Sequence, residues 1–269
     1  MNQQGACPRE LVDFAGALAD AVGTVHRRHF RRPVAVDTKA DGSPVTRVDR
    51  DSERVVRELI EHHYPEHGII GEEFPSLRPG ADYVWVIDPL DGTRLFLLGI
   101  PQFAVLIALA YRGRFVLGVI DQAIVRDRWV GADGTGTSLN GRPVQTRLCP
   151  GLSDAVLCRP GVGDNTLGHD ADIDRVAARA RWVQWGVMPC DYGLVASGFI
   201  DLVVSAGPKL HDLAPLDPII RNAGGAVTDW QGSRLTLASR DTVIAAGDAA
   251  LIEPVTRYLT GGERLEQQQ

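Results

Sequence analysis

The chain has 269 residues, 44% hydrophobic and 23% charged, and a net charge of −6. These values fit a soluble globular protein, as one large domain or as two closely packed layers sharing a core. The negative balance argues against a nucleic-acid partner, and no run approaches the roughly 20 apolar residues of a membrane span.

The cysteines are Cys7, Cys149, Cys158 and Cys190, and none forms a C-x-x-C pair. No zinc signature or disulfide framework is therefore expected, and reduced thiols in a cytoplasmic protein are. The first thirty residues mix acidic and basic groups with apolar ones, so they are not read as a signal peptide.

The first predicted element is a helix over 10–30, with Leu11, Phe14, Ala15, Leu18, Ala21, Val22 and Val25 at helical spacing. His26 and His29 are expected at its solvated basic end, beside Arg27, Arg28, Arg31 and Arg32. The Asp-Gly-Ser-Pro content of 39–46 predicts a loop. A second helix over 49–62 has Val55, Val56, Leu59 and Ile60 on its apolar side. Strands follow at 68–70 and 83–87, then an antiparallel meander over 103–111, 115–121 and 128–130, with Arg112-Gly113 as a hairpin turn.

Gly151 begins a second half. It reads as strand 155–158, helix 171–180, strand 181–185, helix 192–197 and strand 201–204. A helix over 213–222 ends at Gly224-Gly225. Strand 242–246 and helix 249–258 close the pattern, and the polar tail 261–269 is expected to be disordered. There is no internal repeat. The halves, about 8–146 and 151–260, are expected to share one domain spanning 1–269. Periodicity alone gives mixed α/β.

The chemistry concentrates where Val84-Trp85-Val86-Ile87 runs into Asp88-Pro89-Leu90-Asp91-Gly92-Thr93. Asp88 and Asp91 sit at the C-terminal end of a buried strand, where α/β sheets place ligands. Thr93 can open the next helix and leave N–H groups free for an anion. An ordinary tight turn has the same composition. The other motifs decide between the two. They are Lys39-Ala40-Asp41-Gly42-Ser43-Pro44-Val45-Thr46-Arg47-Val48-Asp49, Ile69-Ile70-Gly71-Glu72-Glu73 and His211-Asp212-Leu213-Ala214-Pro215.

In this order and spacing, the four motifs resemble the inositol monophosphatase superfamily of Mg²⁺-dependent, lithium-sensitive phosphatases. The match runs from about Leu11 to Leu259. The resemblance implies a layered α/β/α/β/α sandwich, a homodimer and a small-molecule phosphate monoester substrate. It also implies two Mg²⁺ ions. Glu72, Asp88 and the Leu90 carbonyl would hold the first, and Asp88, Asp91 and Asp212 the second. Glu72 would touch a third, weaker ion through water. Asp49 and Thr93 would orient the attacking water, so Asp49, Glu72 and Thr93 are the expected catalytic residues. Gly92 and Thr93 would receive phosphate oxygens, and Lys39 would lie near the site. Such hard oxygen donors, with no thiolate, suit Mg²⁺.

Each residue also has a plainer reading. Asp49 and Asp212 could cap their helices, and Asp41 could be a turn residue. Glu73 is expected to point away from Glu72 along an extended backbone. Asp121 and Asp127 are expected to be solvated. A catalytically silent relative would have lost a ligand or the water-activating pair, and none is missing.

Within the superfamily, the stretches 103–109, 116–122, 128–131, 139–144, 191–198 and 226–230 and Pro208-Lys209 are most similar to bacterial histidinol-phosphate phosphatases. Three positions depart from the related pattern. Ser205 replaces a glutamate seven residues before Asp212, His211 replaces Trp or Tyr, and Gly186-Val187-Met188 replaces a Gly-Gly-Asp run. The expected substrate wall is Trp185, Met188, Asp191 and Ser205, beside Asp91, Gly92, Thr93 and Asp212. Loss of an anionic contact would weaken the grip on a cationic amino-alcohol, because charged hydrogen bonds contribute about 1.5–3 kcal/mol each. A nucleoside monophosphate or an aminocyclitol or inositol phosphate is the alternative substrate.

Overall fold

A computed structural model describes residues 6–160, 168–186 and 188–261. Val187 and the 262–269 part of the tail lie outside them.

Helix α1 (Arg9–His29) buries Leu11, Ala15, Leu18 and Val22, one turn apart on a single stripe. His26 continues that stripe and is also buried, not solvated as its basic neighbours suggested. A hairpin follows, β1 (Val36–Thr38) against β2 (Pro44–Thr46), so the predicted loop closes in a strand. Helix α2 (Arg47–His63) begins at Thr46, whose hydroxyl accepts from the Val48 N–H at 2.9 Å. Val56 and Ile60 of α2 join the α1 stripe.

These helices cover one face of a seven-stranded sheet. Its strands are β3 (Gly68–Gly71), β4 (Tyr83–Asp91), β5 (Ala104–Tyr111), β6 (Arg114–Gln122), β7 (Asp127–Ala132), β8 (Gly136–Leu139) and β9 (Arg142–Val144), in that spatial order. Only β3 and β4 are parallel; the other pairs are antiparallel. Arg112 and Gly113 turn β5 into β6 with φ of 49° and 80°, the left-handed pair that a two-residue hairpin requires. A short helix, α3 (Thr93–Leu97), follows β4.

The second sheet is built from β10 (Val156–Arg159), β11 (Trp182–Trp185), β12 (Leu202–Ala206), β13 (Ala226–Thr228) and β14 (Thr242–Ala246), in spatial order β11-β10-β12-β14-β13. Its helices are α4 (Asp170–Ala177), α5 (Pro189–Ala196), α6 (Leu210–Leu213), α7 (Leu216–Arg221) and α8 (Ile252–Leu259). The single helix predicted over 213–222 is in fact two. Pro215 has no N–H to continue α6, so the chain breaks there and restarts as α7.

Three apolar clusters define the layers. Trp85, Ile87, Ile107 and Val119 face α1 and α2. Val86, Leu106 and Trp129 face inward onto Val195, Leu213, Ile219 and Ile220, with Val203, Val243 and Ala245 of the second sheet beyond. Leu157, Leu202 and Ile244 face outward onto Ile173, Val176 and Val255. The arrangement is the expected α/β/α/β/α sandwich, with α5, α6 and α7 as its middle layer. Gly118 and Gly131 let that layer approach closely, since a Cβ at either would strike the backbone of Pro215 or of Pro218-Ile219. All four cysteines are free thiols. Among the described residues, no helix is long and apolar enough to cross a membrane.

Candidate active site

Strand register brings the first carboxylates together. Because β3 runs parallel to β4 with Gly71 opposite Ile87, Glu72 emerges beside Asp88. The β4–β5 register shifts between Asp88 and Asp91. The shift lets both carboxylates turn toward the same side, where a regular strand would separate residues three apart. Gly92 then takes φ 87°, with Phe103 close behind it, and α3 begins at Thr93. Helix α6 supplies Asp212 from the middle layer. Asp88, Asp91 and Asp212 converge, as do Glu72, Asp88 and His211, with donor atoms in each group within 4.8 Å of one another.

This crowding has an electrostatic signature. The Asp88 carboxyl is pushed well above the ordinary range, by burial and then by the nearby carboxylates of Glu72, Asp91 and Asp212. Asp91 is likewise raised, by burial and by Asp212 and Glu72; the Gly92 N–H opposes this by donating to it. Glu72 goes the other way. Burial raises it, but His211 and Lys39 hold it below the usual carboxylate value. Carboxylates that crowd and repel each other in this way, in a cavity that Leu90 also lines, are hard oxygen donors suited to a divalent cation. Glu72, Asp88, Asp91 and Asp212, with His211 beside the first two, offer donor atoms close enough to share one.

Asp49 is the third residue of α2 and not its cap. Its Oδ2 accepts from the Thr46 N–H at 2.8 Å and the Thr46 hydroxyl at 2.7 Å. Its Oδ1 lies 2.9 Å from Thr93 Oγ1, which is also 3.0 Å from the Leu90 carbonyl. Burial raises the Asp49 carboxyl, and these hydrogen bonds oppose it. Asp212 occupies the same position in α6, its Oδ2 accepting from the Lys209 N–H at 2.7 Å. Asp212 therefore closes the start of α6 from its third position, as Asp49 does in α2, and also belongs to the carboxylate cluster. Asp41 is the turn residue expected, bonded to Ser43, and it also accepts from Lys209 Nζ at 2.9 Å.

Several residues stand differently from their sequence reading. Glu73 does not point away: Lys39 Nζ sits 2.6 Å from Glu72 Oε1 and 2.7 Å from Glu73 Oε1. The strand has already ended at Gly71, so the alternation that would separate the two side chains no longer applies. Asp121 is buried against Arg128, at 2.6 Å. His26 Nε2 donates to the Pro89 carbonyl at 2.9 Å and so ties α1 to the Asp88–Asp91 bend. Its position four residues after Val22 was the available signal. Glu53 was also missed. It is buried, accepts from the Glu73 N–H at 2.7 Å and from Arg57 at 2.7 Å, and lies against Gly71, where any side chain would strike it. Its spacing of four from Asp49 puts both on one face of α2.

The cavity over the cluster is about 380 Å³ and is lined by Ser43, Leu90, Thr93, Met188, Lys209 and His211 with the carboxylates. A neighbouring recess of about 190 Å³ adds Pro160, Tyr192 and Ser205. Tyr192 and Ser205 lie side by side in this recess. Of the expected wall, Met188 and Ser205 line these spaces, but Trp185 and Asp191 do not. Trp185 is 51% exposed, and its ring stacks under the Arg159 guanidinium at 4.3 Å. Asp191 is turned into the start of α5, where its Oδ2 accepts from the Met188 N–H at 2.9 Å. Burial pushes its carboxyl up to about 6.

The model of the inositol monophosphatase family matches residues 8–260. The chain is 41% identical to the chloroplastic bifunctional phosphatase IMPL2 of Arabidopsis thaliana, over 92% of this chain and 77% of that protein. It is 34% identical to the histidinol-phosphatase of Chlorobaculum parvum, over 88% and 92%. The solved inositol monophosphatase of Zymomonas mobilis superposes with a TM-score of 0.85 at 42% identity, over 93% and 98%. With the family model covering nearly the whole chain and these relatives so close, the chain belongs to the inositol monophosphatase family and is a phosphoric monoester hydrolase.

Proposed function

We propose that the protein is a Mg²⁺-dependent phosphatase of a small phosphate monoester, with histidinol phosphate as its first substrate. The observation that carries the reaction is the convergence of Asp88, Asp91 and Asp212 beside Glu72 and the Thr93–Asp49 pair. Bound divalent ions would lower the pKa of a water, neutralise phosphate charge and stabilise the leaving oxygen. Glu72, Asp88 and the Leu90 carbonyl would hold one ion, Asp88, Asp91 and Asp212 another, with a third touched by Glu72. Lys39 fixes Glu72 from behind.

Thr93 Oγ1 has one proton to give. It gives it to Asp49 Oδ1, which leaves the hydroxyl oxygen free to accept from a water in the cavity. As that water attacks phosphorus, its proton passes to Thr93 Oγ1, and the Thr93 proton passes to Asp49 Oδ1. The three donors on Asp49 oppose the rise that burial imposes on its carboxyl and orient it for this role. The Gly92 and Thr93 N–H groups would receive phosphate oxygens once cations relieve the charge on Asp91.

The histidinol-phosphatase relatives support the substrate choice. A second reading, a neutral polyol phosphate such as inositol monophosphate or a nucleoside monophosphate, is favoured by the hydroxyl pair of Tyr192 and Ser205 on the wall. The test is kcat/KM for histidinol phosphate, inositol monophosphate and adenosine monophosphate, for wild type and Ser205→Glu. The first reading expects histidinol phosphate to lead, and Ser205→Glu to raise it further. Leadership by a neutral polyol phosphate would transfer the assignment to the second reading. We infer a homodimer from family membership, which sedimentation at micromolar concentration tests.

A further inference from the structure

We propose that His211 is a nitrogen ligand to the divalent ion held by Glu72 and Asp88, so that the centre is a mixed nitrogen–oxygen site. This rests on the metal-dependent reading above. It assigns a donor that the oxygen-only cage lacks.

The geometry carries the assignment. Glu72, Asp88 and His211 each offer a ligand atom, all within 4.8 Å of one another. His211 Nε2 is 3.8 Å from Glu72 Oε1 and 3.6 Å from Asp212 Oδ1. Both separations exceed hydrogen-bonding range, so the ring nitrogen makes only long ion-pair contacts to the two carboxylates. On an octahedral ion with bonds of about 2.1 Å, neighbouring donors lie about 3 Å apart and opposite ones about 4.2 Å. The Glu72–His211 separation of 3.8 Å is nearer the opposite-donor value. His211 is only 9% exposed, and it lines the same cavity as Glu72 and Asp88. The break at Pro215 holds it within the single turn of α6, beside Asp212. An imidazole at this point adds affinity for later divalent metals, whose affinity for nitrogen rises along the first transition row, while the carboxylates still suit Mg²⁺.

The test uses the full chain. Wild-type protein loaded with Mn²⁺ should show nitrogen hyperfine coupling in pulsed electron paramagnetic resonance, and His211→Phe should lose it. By calorimetry, Co²⁺ affinity should fall about tenfold or more in His211→Phe, with Mg²⁺ affinity changing much less. His211→Gln serves the same comparison if the Phe variant does not fold, and the wild-type spectrum needs no variant. Metal binding without nitrogen coupling, or equal losses of Co²⁺ and Mg²⁺ affinity, would overturn this inference alone. Failure of the wild type to bind any divalent ion would overturn it together with the reading beneath it.

Discussion

Thr93 Oγ1 lies 2.9 Å from Asp49 Oδ1, joining the first turn of α3 to the first turn of α2 across 44 residues of sequence. The pair is the only described link by which a buried carboxylate outside the cluster reaches a hydroxyl on the cavity wall. Thr93→Ala and Asp49→Asn should each lower kcat by roughly a hundredfold or more, the range of a positioned general base. Divalent-ion affinity should change far less, because neither side chain is in the carboxylate cluster. The double variant should be little worse than either single one, since the two act as a unit. Steady-state kinetics with calorimetry checks all three points, and additive losses would separate Thr93 from Asp49.

Asp91→Asn should abolish nearly all turnover while leaving the fold intact. The substitution keeps volume and removes one cation-binding charge. Because burial and then Asp212 and Glu72 push the Asp91 carboxyl well up, its ionised form is unfavourable without a cation. The metal-free variant should therefore melt no lower than metal-free wild type, and Mg²⁺ should raise its Tm less. Residual turnover above roughly a tenth would contradict a direct role in binding the ion.

His26 sets a pH dependence of stability. Its pKa falls from 6.5 to about 4, mainly through burial, with the Pro89 hydrogen bond opposing. Between those values the unfolded chain binds a proton that the folded chain refuses. Stability therefore falls as pH drops through that window, and is restored as pH rises above it. His26→Gln keeps a donor for Pro89 and removes the titration. Between about pH 7 and pH 4, the wild type should lose on the order of 3 kcal/mol relative to this variant. Denaturant unfolding at both pH values measures it, and parallel pH profiles would show that His26 protonates freely in the native state.

What sequence made legible was local, and what it missed depended on packing. The run from Val84 to Thr93 carries its own strand, bend and ligands, so the heart of the site was readable at once. Glu72 was placed because strand β3 ends there, whereas Glu73 was misplaced because alternation was extended beyond the strand. His26 looked solvated among arginines; only the packing of α1 behind the Asp88–Asp91 bend buries it. Asp191 was expected to face the substrate, but the start of α5 uses its carboxylate instead. In each case the deciding contact joins segments far apart in sequence or depends on where an element starts or stops.

If the carboxylate cluster works through bound divalent cations, chelation must silence it. Inorganic phosphate release from histidinol phosphate by exhaustively chelated protein, before and after addition of Mg²⁺, with Ca²⁺ and Mg²⁺ plus Li⁺ in parallel, tests this. The result expected is negligible release when chelated, recovery with Mg²⁺, none with Ca²⁺ and inhibition by Li⁺. Full release by the chelated protein would contradict the account.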